Sequence, residues 1–164
     1  MTEKHRRFFF FAVFALVFYL VGASFVESFA NYPTWKLVGA NEFAGYYHEL
    51  ASRIVKLMVL PGVLEIVLTI ALFWLRPRAV PRWAVALALV LNMVRFVSTA
   101  IAQTRFQEQL GAGAVSPDEI NRLIQADYLT QAVSIARALL YLWMAARVVG
   151  AGENETAKNA DAYS

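Results

Sequence analysis

Four long apolar runs, separated by short polar connections, constrain this chain more than any other feature of its sequence. A run of about 20 apolar residues is long enough to cross the hydrocarbon core of a bilayer as an α-helix. Only 16% of the residues are charged, whereas a soluble domain usually carries about a quarter. The sequence therefore predicts an all-α protein, a four-helix transmembrane bundle that forms one domain over residues 1–150.

The four spans are predicted at about 8–30, 48–75, 83–104 and 128–149, followed by a disordered polar tail over 151–164. The first run exceeds the apolar core of a signal peptide, which is about 7 to 15 residues long. We therefore expect it to remain in the protein as a span.

Three local signals refine the helix bounds. Asn41 is a good N-cap residue, so the helix of the second span is expected to begin near it. Pro61 and Gly62 lie near the middle of that span and predict a kink, because proline lacks an N–H group. The segment 116–119, Ser-Pro-Asp-Glu, has the pattern of a capping box and predicts a helix that continues into the fourth span.

Basic residues are unevenly distributed between the two ends of the spans. One side carries Lys4, Arg6, Arg7, Arg76, Arg78, Arg82 and Arg147. The other side carries Lys36, Arg105 and Arg122, with Arg53 near the surface. Because cytoplasmic loops carry the excess of lysine and arginine, both termini are predicted to be cytoplasmic, in a multi-pass protein of the inner membrane. Span-end positions account for the net charge of +3, so the expected partner is the lipid bilayer and not a nucleic acid.

Polar side chains occur inside the spans although each costs about 2.5 to 3.5 kcal/mol at a span's centre. The third span carries one polar stripe, formed by Asn92, Arg95, Thr99 and Gln103. The fourth span carries another, formed by Thr130, Ser134, Arg137 and Tyr141. Glu65 falls near mid-depth on the second span, and Glu27 lies on a polar face of the first. We expect these faces to point into the bundle, since charged side chains avoid lipid.

Two interpretations of the buried charges remain open. Glu65 pairs with Arg95, Arg137 or both to fasten the helices together, as intramembrane charges usually do. Alternatively, two arginines and one glutamate together leave one excess positive charge. This charge could bind the carboxylate, phenolate or enolate group of a lipid-soluble ligand. The two interpretations are compatible.

A second polar group is predicted near the outer surface, and it contains Glu27, His48, Glu49, Arg53, Lys56, Gln103 and Gln107. His48 with Glu27, Glu42 or Glu49 is compatible with an acid/base pair, a mononuclear metal site or a hydrogen-bonding interfacial histidine. No metal is assigned, because one histidine is little support for it. Glu49 and Arg53 have the spacing of a helix-surface ion pair, and Lys56 is expected to extend toward the polar boundary. The chain has no cysteine, which excludes cysteine-ligated zinc, haem and iron–sulfur clusters.

Several motifs together resemble a known pattern. They are Tyr32-Pro33-Thr34-Trp35, Glu42-Phe43 with His48, Pro61 with Glu65, Thr99 with Gln103, and Leu123, Asp127, Thr130 and Arg137. The pattern is similar to that of small bacterial four-span membrane proteins and, more distantly, of the anthrone oxygenase-like family of natural-product pathways. The chain departs from it at Gln107, where a histidine is expected, and at Asp127-Tyr128, where asparagine and tryptophan are expected. The resemblance implies an enzyme that needs no cofactor and oxidises electron-rich phenolic substrates with oxygen.

The first functional hypothesis is a membrane-embedded, oxygenase-like or oxidoreductase-like enzyme that acts on a small lipophilic, aromatic or polyketide-like substrate. The candidate catalytic residues are His48, Glu27, Glu65, Arg95 and Arg137. The candidate substrate contacts are Asn92, Thr99, Gln103, Thr130, Ser134, Tyr141 and Trp35. The alternatives are a non-catalytic ligand-binding or accessory protein, or a transporter subunit, which with four spans would have to work as a homo-oligomer.

Overall fold

The protein is described by a computed structural model that covers residues 1–111 and 116–161, without the side chains of residues 40, 103–111, 117 and 154–161. The regular elements in these ranges are α1 (Glu3–Val26), a first π-turn (Glu27–Asn31), α2 (Tyr32–Trp35), α3 (Ala40–Ile54), a second π-turn (Val55–Val59), α4 (Leu60–Leu75), α5 (Arg82–Gly111) and α6 (Pro117–Asp161). All of them are helical. Four helical segments are long and apolar enough to cross a membrane, namely Glu3–Trp35, Asn41–Leu75, Arg82–Ala102 and Asp118–Glu153. The predictions of an all-α chain and of four apolar helices of membrane length are confirmed.

The helices form a closed ring in which α1 packs on α4 and α6, and α5 packs on the same two helices. One end of the bundle, here called the basic end, holds the N-terminus and the turn between α4 and α5. There the Arg6 guanidinium donates to the Arg76 carbonyl oxygen at 3.2 Å, and the Arg147 guanidinium donates to the Ala79 carbonyl oxygen at 3.0 Å. At the opposite, aromatic end, the buried residues Tyr32, Trp35, Phe43, Tyr47, Ile120 and Leu123 pack together.

Each π-turn precedes a proline. The first π-turn comes directly before Tyr32 and Pro33, and the second before Leu60 and Pro61. A proline ring clashes with the carbonyl group four residues earlier, and in both cases that carbonyl belongs to the π-turn. The wider turn accommodates the ring, so the helix continues. At Pro61, where the sequence predicted a kink, the structure has a π-turn within a continuous helical segment.

Tyr19 compensates for the hydrogen bond that Pro61 cannot make. Its hydroxyl donates to the Leu57 carbonyl oxygen at 2.9 Å, which is the carbonyl four residues before Pro61. We expect Tyr19→Phe to lower the free energy of unfolding by about 1 kcal/mol. In a Pro61→Ala background the loss should be much smaller, because the alanine N–H can take over. Unfolding of the four variants in detergent measures this coupling, and equal losses in both backgrounds would contradict it.

The helix starts agree with the sequence in one case and differ in another. Ser116 caps α6, since its hydroxyl accepts a hydrogen bond from the Glu119 N–H at 3.3 Å, and α6 runs unbroken into the fourth span as expected. α3 begins at Ala40, close to the predicted start near Asn41, but its N-cap is Gly39 and not Asn41. Gly39 has extended backbone angles, and its carbonyl accepts from the Phe43 N–H at 2.9 Å, so Asn41 lies inside the helix.

The tail differs from its prediction over most of its length. α6 continues to Asp161, whereas the sequence predicted a disordered segment from residue 151. Alanine, glutamate and lysine, which favour helix, recur in 151–161 and extend a helix that is already formed. Residues 162–164 lie outside the described part of the chain.

Candidate functional site

A cluster of charges lies buried where α4, α5 and α6 meet. Glu65 is fully buried, and its Oε2 atom lies 3.2 Å from Nη1 of Arg137 and 3.9 Å from Nη2 of Arg95. The same Nη1 atom of Arg137 donates to Oδ1 of Asn92 at 3.0 Å. We call Glu65, Asn92, Arg95 and Arg137 the charge cluster. Two guanidinium groups share one carboxylate, so the cluster carries one uncompensated positive charge.

A cavity of about 280 Å³ lies beside this cluster, toward the aromatic end. It is enclosed by both π-turns and by parts of α2, α3, α4 and α5. Its apolar wall is formed by Ala51, Ile54, Val55, Met58, Val59, Gly62, Phe96 and Ala100. Its polar contributions come from Glu27, Tyr32, Tyr47, Arg95 and Thr99. A mainly apolar chamber with a few convergent polar groups is typical of a small-molecule site.

Arg95 belongs to both the charge cluster and the cavity. It is 9% exposed, and its 3.9 Å separation from Glu65 is longer than a hydrogen bond. Its Nε atom has no hydrogen-bond acceptor in the part of the chain that the structure describes. The guanidinium lies beside Gly62 of α4, where a Cβ atom would be at an ordinary van der Waals distance of 3.5 Å from Arg95 Nη2. The uncompensated charge is therefore held loosely, at the cavity wall.

Glu27 supplies the acidic group of the cavity. It is the first residue of the first π-turn and is 7% exposed. Its Oε2 atom accepts a hydrogen bond from Asn31 at 2.5 Å, and its Oε1 atom has no partner within the described residues.

Glu27 and Arg95 lie at different depths in the bundle. At 1.5 Å per residue, Glu27 lies about 30 Å along its helix from Arg7, and Arg95 lies about 20 Å along its helix from Arg82. Since Arg7 and Arg82 are both at the basic end, the carboxylate lies about 10 Å closer to the aromatic end than the guanidinium.

The cavity shares part of its wall with the outer surface of the bundle. Val55, Val59 and Phe96 line it and are 47%, 41% and 39% exposed, respectively. These residues belong to the second and third spans. The wall of the cavity between those two spans is therefore apolar and partly exposed on the outside of the bundle.

A second buried polar network joins α1 to α6 beside Glu27. Gln131 Nε2 donates to Ser24 Oγ at 2.8 Å and to Asp127 Oδ2 at 3.0 Å, and Ser28 donates to the same Asp127 oxygen. The sequence interpretation did not include Ser28 or Gln131. Their positions four residues after Ser24 and Asp127 are the signal that could have identified them, because residues four apart share a helix face.

Three of the residues predicted from sequence line the cavity, namely Glu27, Arg95 and Thr99. Glu65, Asn92 and Arg137 lie behind Arg95 in the charge cluster. Thr130, Ser134, Tyr141 and Trp35 are buried but do not line the cavity. Ser134 donates to the Thr130 carbonyl oxygen at 2.8 Å, Tyr141 lies 3.2 Å from the Thr69 hydroxyl, and Trp35 packs on Tyr32 and Tyr47. The side chains of Gln103 and Gln107 lie outside the described residues.

His48 is exposed on α3 and is not among the residues that line the cavity. Its neighbour Tyr47 is buried and lines the cavity. Glu49 and Arg53 form the expected surface ion pair, with 2.8 Å between Oε1 and Nη2. The described side chains include no group of three or more histidines, aspartates or glutamates placed to hold a metal. The structure therefore does not place His48 beside Glu27 as a pair that faces the cavity.

Comparisons of the chain with protein-family models, with curated proteins and with solved structures find no match. Function is accordingly inferred from the cavity, the charge cluster and the apolar surface that surrounds them.

Proposed function

We propose that this chain is a multi-pass protein of the inner membrane, with both termini on the cytoplasmic side. The apolar helices of membrane length support insertion into a bilayer. Arginines at the basic end, among them Arg6, Arg76 and Arg147, support the orientation, because cytoplasmic loops carry more lysine and arginine.

We further propose that the cavity binds a small lipophilic acid that enters from the bilayer. The observation that carries this proposal is an apolar chamber with the uncompensated guanidinium of Arg95 at its wall. Apolar walls favour a lipophilic body, and a guanidinium in a water-poor site binds a carboxylate, phenolate or enolate strongly. The exposed Val55, Val59 and Phe96 provide the lateral entrance.

In this proposal the protein is an enzyme that generates and stabilises a substrate anion. Glu27 acts as general base, since its Oε1 atom has no partner within the described residues and its side chain lines the cavity. Arg95 stabilises the negative charge that develops on the substrate oxygen. Glu65, which is itself paired with Arg137, attracts the Arg95 side chain from behind, and neither Glu65 nor Arg137 lines the cavity.

The resemblance to anthrone oxygenases supports oxygen as the oxidant. A ring methylene group between phenolic rings would lose a proton to Glu27, and the resulting enolate would react with dioxygen. One oxygen atom remains as the new carbonyl and the other leaves as water with the two methylene hydrogens. The four-electron oxidation of the carbon thus matches the four-electron reduction of dioxygen.

A second candidate is a non-catalytic protein that holds the same class of ligand. It is favoured by the absence of a histidine from the residues that line the cavity in the described part of the chain. The two candidates share the binding step and differ in turnover.

The binding step is tested by replacing Arg95 with glutamine. We expect the affinity for a lipophilic phenolic acid to fall about 10- to 100-fold, because a hydrogen bond to a charged group contributes about 1.5 to 3 kcal/mol. The free energy of unfolding should change less than the binding free energy, because the ion pair between Glu65 and Arg137, at 3.2 Å, remains. Equilibrium binding to the purified protein in nanodiscs measures the affinity.

Arg53→Gln is the matched control, because this arginine is exposed and pairs with Glu49 on the surface. Thr99→Val should have a smaller effect than Arg95→Gln, since it removes a neutral hydroxyl from the same cavity. Unchanged affinity in a folded Arg95→Gln protein would remove the proposed site.

A further inference from the structure

A second hollow, of about 390 Å³, lies on the outside of the bundle between the first and second spans. We call it the outer groove. Its lining includes Leu16 and Tyr19 of α1 and Lys56, Leu57, Leu60 and Leu64 of the second span. It is separate from the cavity, because no residue lines both.

The outer groove runs along the helix axis, which is the general direction of a lipid chain in a bilayer. Lys56, Leu60 and Leu64 follow one another at intervals of four residues, so the groove extends about 12 Å along the helix axis. Lys56 lies 19 positions before Leu75, or about 28 Å along the helix from the basic end. The hydrocarbon core is about 30 Å thick, so the ammonium group lies at the polar boundary and the leucines lie within the core.

Lys56 is a cation for which the structure gives no acceptor or ion-pair partner among the described residues. The nearby Arg53 differs, because Glu49 neutralises it at 2.8 Å. The Tyr19 hydroxyl uses its hydrogen on the Leu57 carbonyl oxygen and cannot donate it to a ligand as well. Lys56 is therefore the group in the outer groove that would receive an anion.

We propose that the outer groove binds an anionic phospholipid, with the phosphate on Lys56 and one acyl chain along Leu57, Leu60 and Leu64. A lysine ammonium suits a phosphate as a compact charge, and a basic residue at the membrane surface favours anionic lipids over neutral ones. The inference rests on the proposed insertion into a bilayer but not on the ligand of the cavity.

The test compares phosphatidylglycerol with phosphatidylcholine of the same acyl chains. Native mass spectrometry of the purified full chain in mixed micelles counts the bound lipids. We expect about a fivefold preference for phosphatidylglycerol, which corresponds to the contribution of one basic residue near the surface. Lys56→Gln should abolish the preference, and Lys56→Arg should keep it.

Two controls separate this site from other sources of lipid binding. Arg53→Gln should keep the preference, because its charge is already paired, and Arg95→Gln should keep it because that arginine lines the cavity instead. Leu60→Trp should reduce binding of both lipids by filling the outer groove. Equal binding of the two lipids by the wild type, or an undiminished preference in Lys56→Gln, would overturn the proposal.

Discussion

Replacing Glu65 with glutamine is expected to lower the free energy of unfolding by about 3 to 5 kcal/mol, the usual cost of removing one member of a buried ion pair. The carboxylate lies 3.2 Å from Arg137 and 3.9 Å from Arg95, and no other carboxylate is paired with either arginine in the described part of the chain. Glutamine would leave two guanidinium charges buried against each other. Unfolding of the purified protein by titration with a denaturing detergent measures the loss.

Glu49→Gln is the matched control, since it also removes a carboxylate from an ion pair on the second span. That pair is exposed, so its loss should cost about 0.5 kcal/mol or less. A Glu65→Gln protein as stable as the control would mean that the charge cluster does not form in the native protein. The role of Arg95 at the cavity would then lose its structural basis.

Glu27→Gln is expected to lower turnover about 100- to 10,000-fold, the usual contribution of a positioned general base. The substitution keeps the shape of the side chain and its hydrogen-bonding contact with Asn31, but the amide cannot accept a proton. Affinity for the substrate should change far less than turnover, because Arg95 and the apolar wall remain. Membranes that contain each variant are incubated with tricyclic phenolic substrates in air, and the oxidised product is measured by mass spectrometry.

The matched control is Glu42→Gln, an exposed carboxylate on α3 at the same end of the bundle. It should keep full turnover. If the wild type binds these substrates but forms no product, the non-catalytic candidate is favoured. If Glu27→Gln keeps the turnover of the wild type, Glu27 is not the base.

The spans and the buried charges could be predicted from the sequence because both follow from the cost of polar groups in lipid. Apolar length marks the helices, and a helical period of 3.6 residues places Glu65, Arg95 and Arg137 on inward faces. The same reasoning identified Glu27 and Thr99, which line the cavity. The distances between these side chains could not be predicted, because they depend on how the helices pack and a helical wheel describes only one helix at a time.

The position of His48 could not be predicted from its chemistry, because the packing of α3 decides which side chains face inward. The inward face of α3 is formed by Phe43, Tyr47 and Ala51, which recur every four residues. His48 lies about 100° from Tyr47 on that wheel and is exposed. The π-turns were also missed, since a proline in a helical pattern indicates an interruption but not how the backbone accommodates it.

The measurement that tests the central claim most directly is the affinity of the wild-type protein for a matched pair of ligands, a lipophilic phenol and its methyl ether. The two share their apolar body and differ in the acidic hydroxyl. Binding of the ionised phenol in the cavity beside Arg95 predicts that the phenol binds at least about tenfold more tightly than the ether. Equal affinities, or no saturable binding of either, would contradict the account.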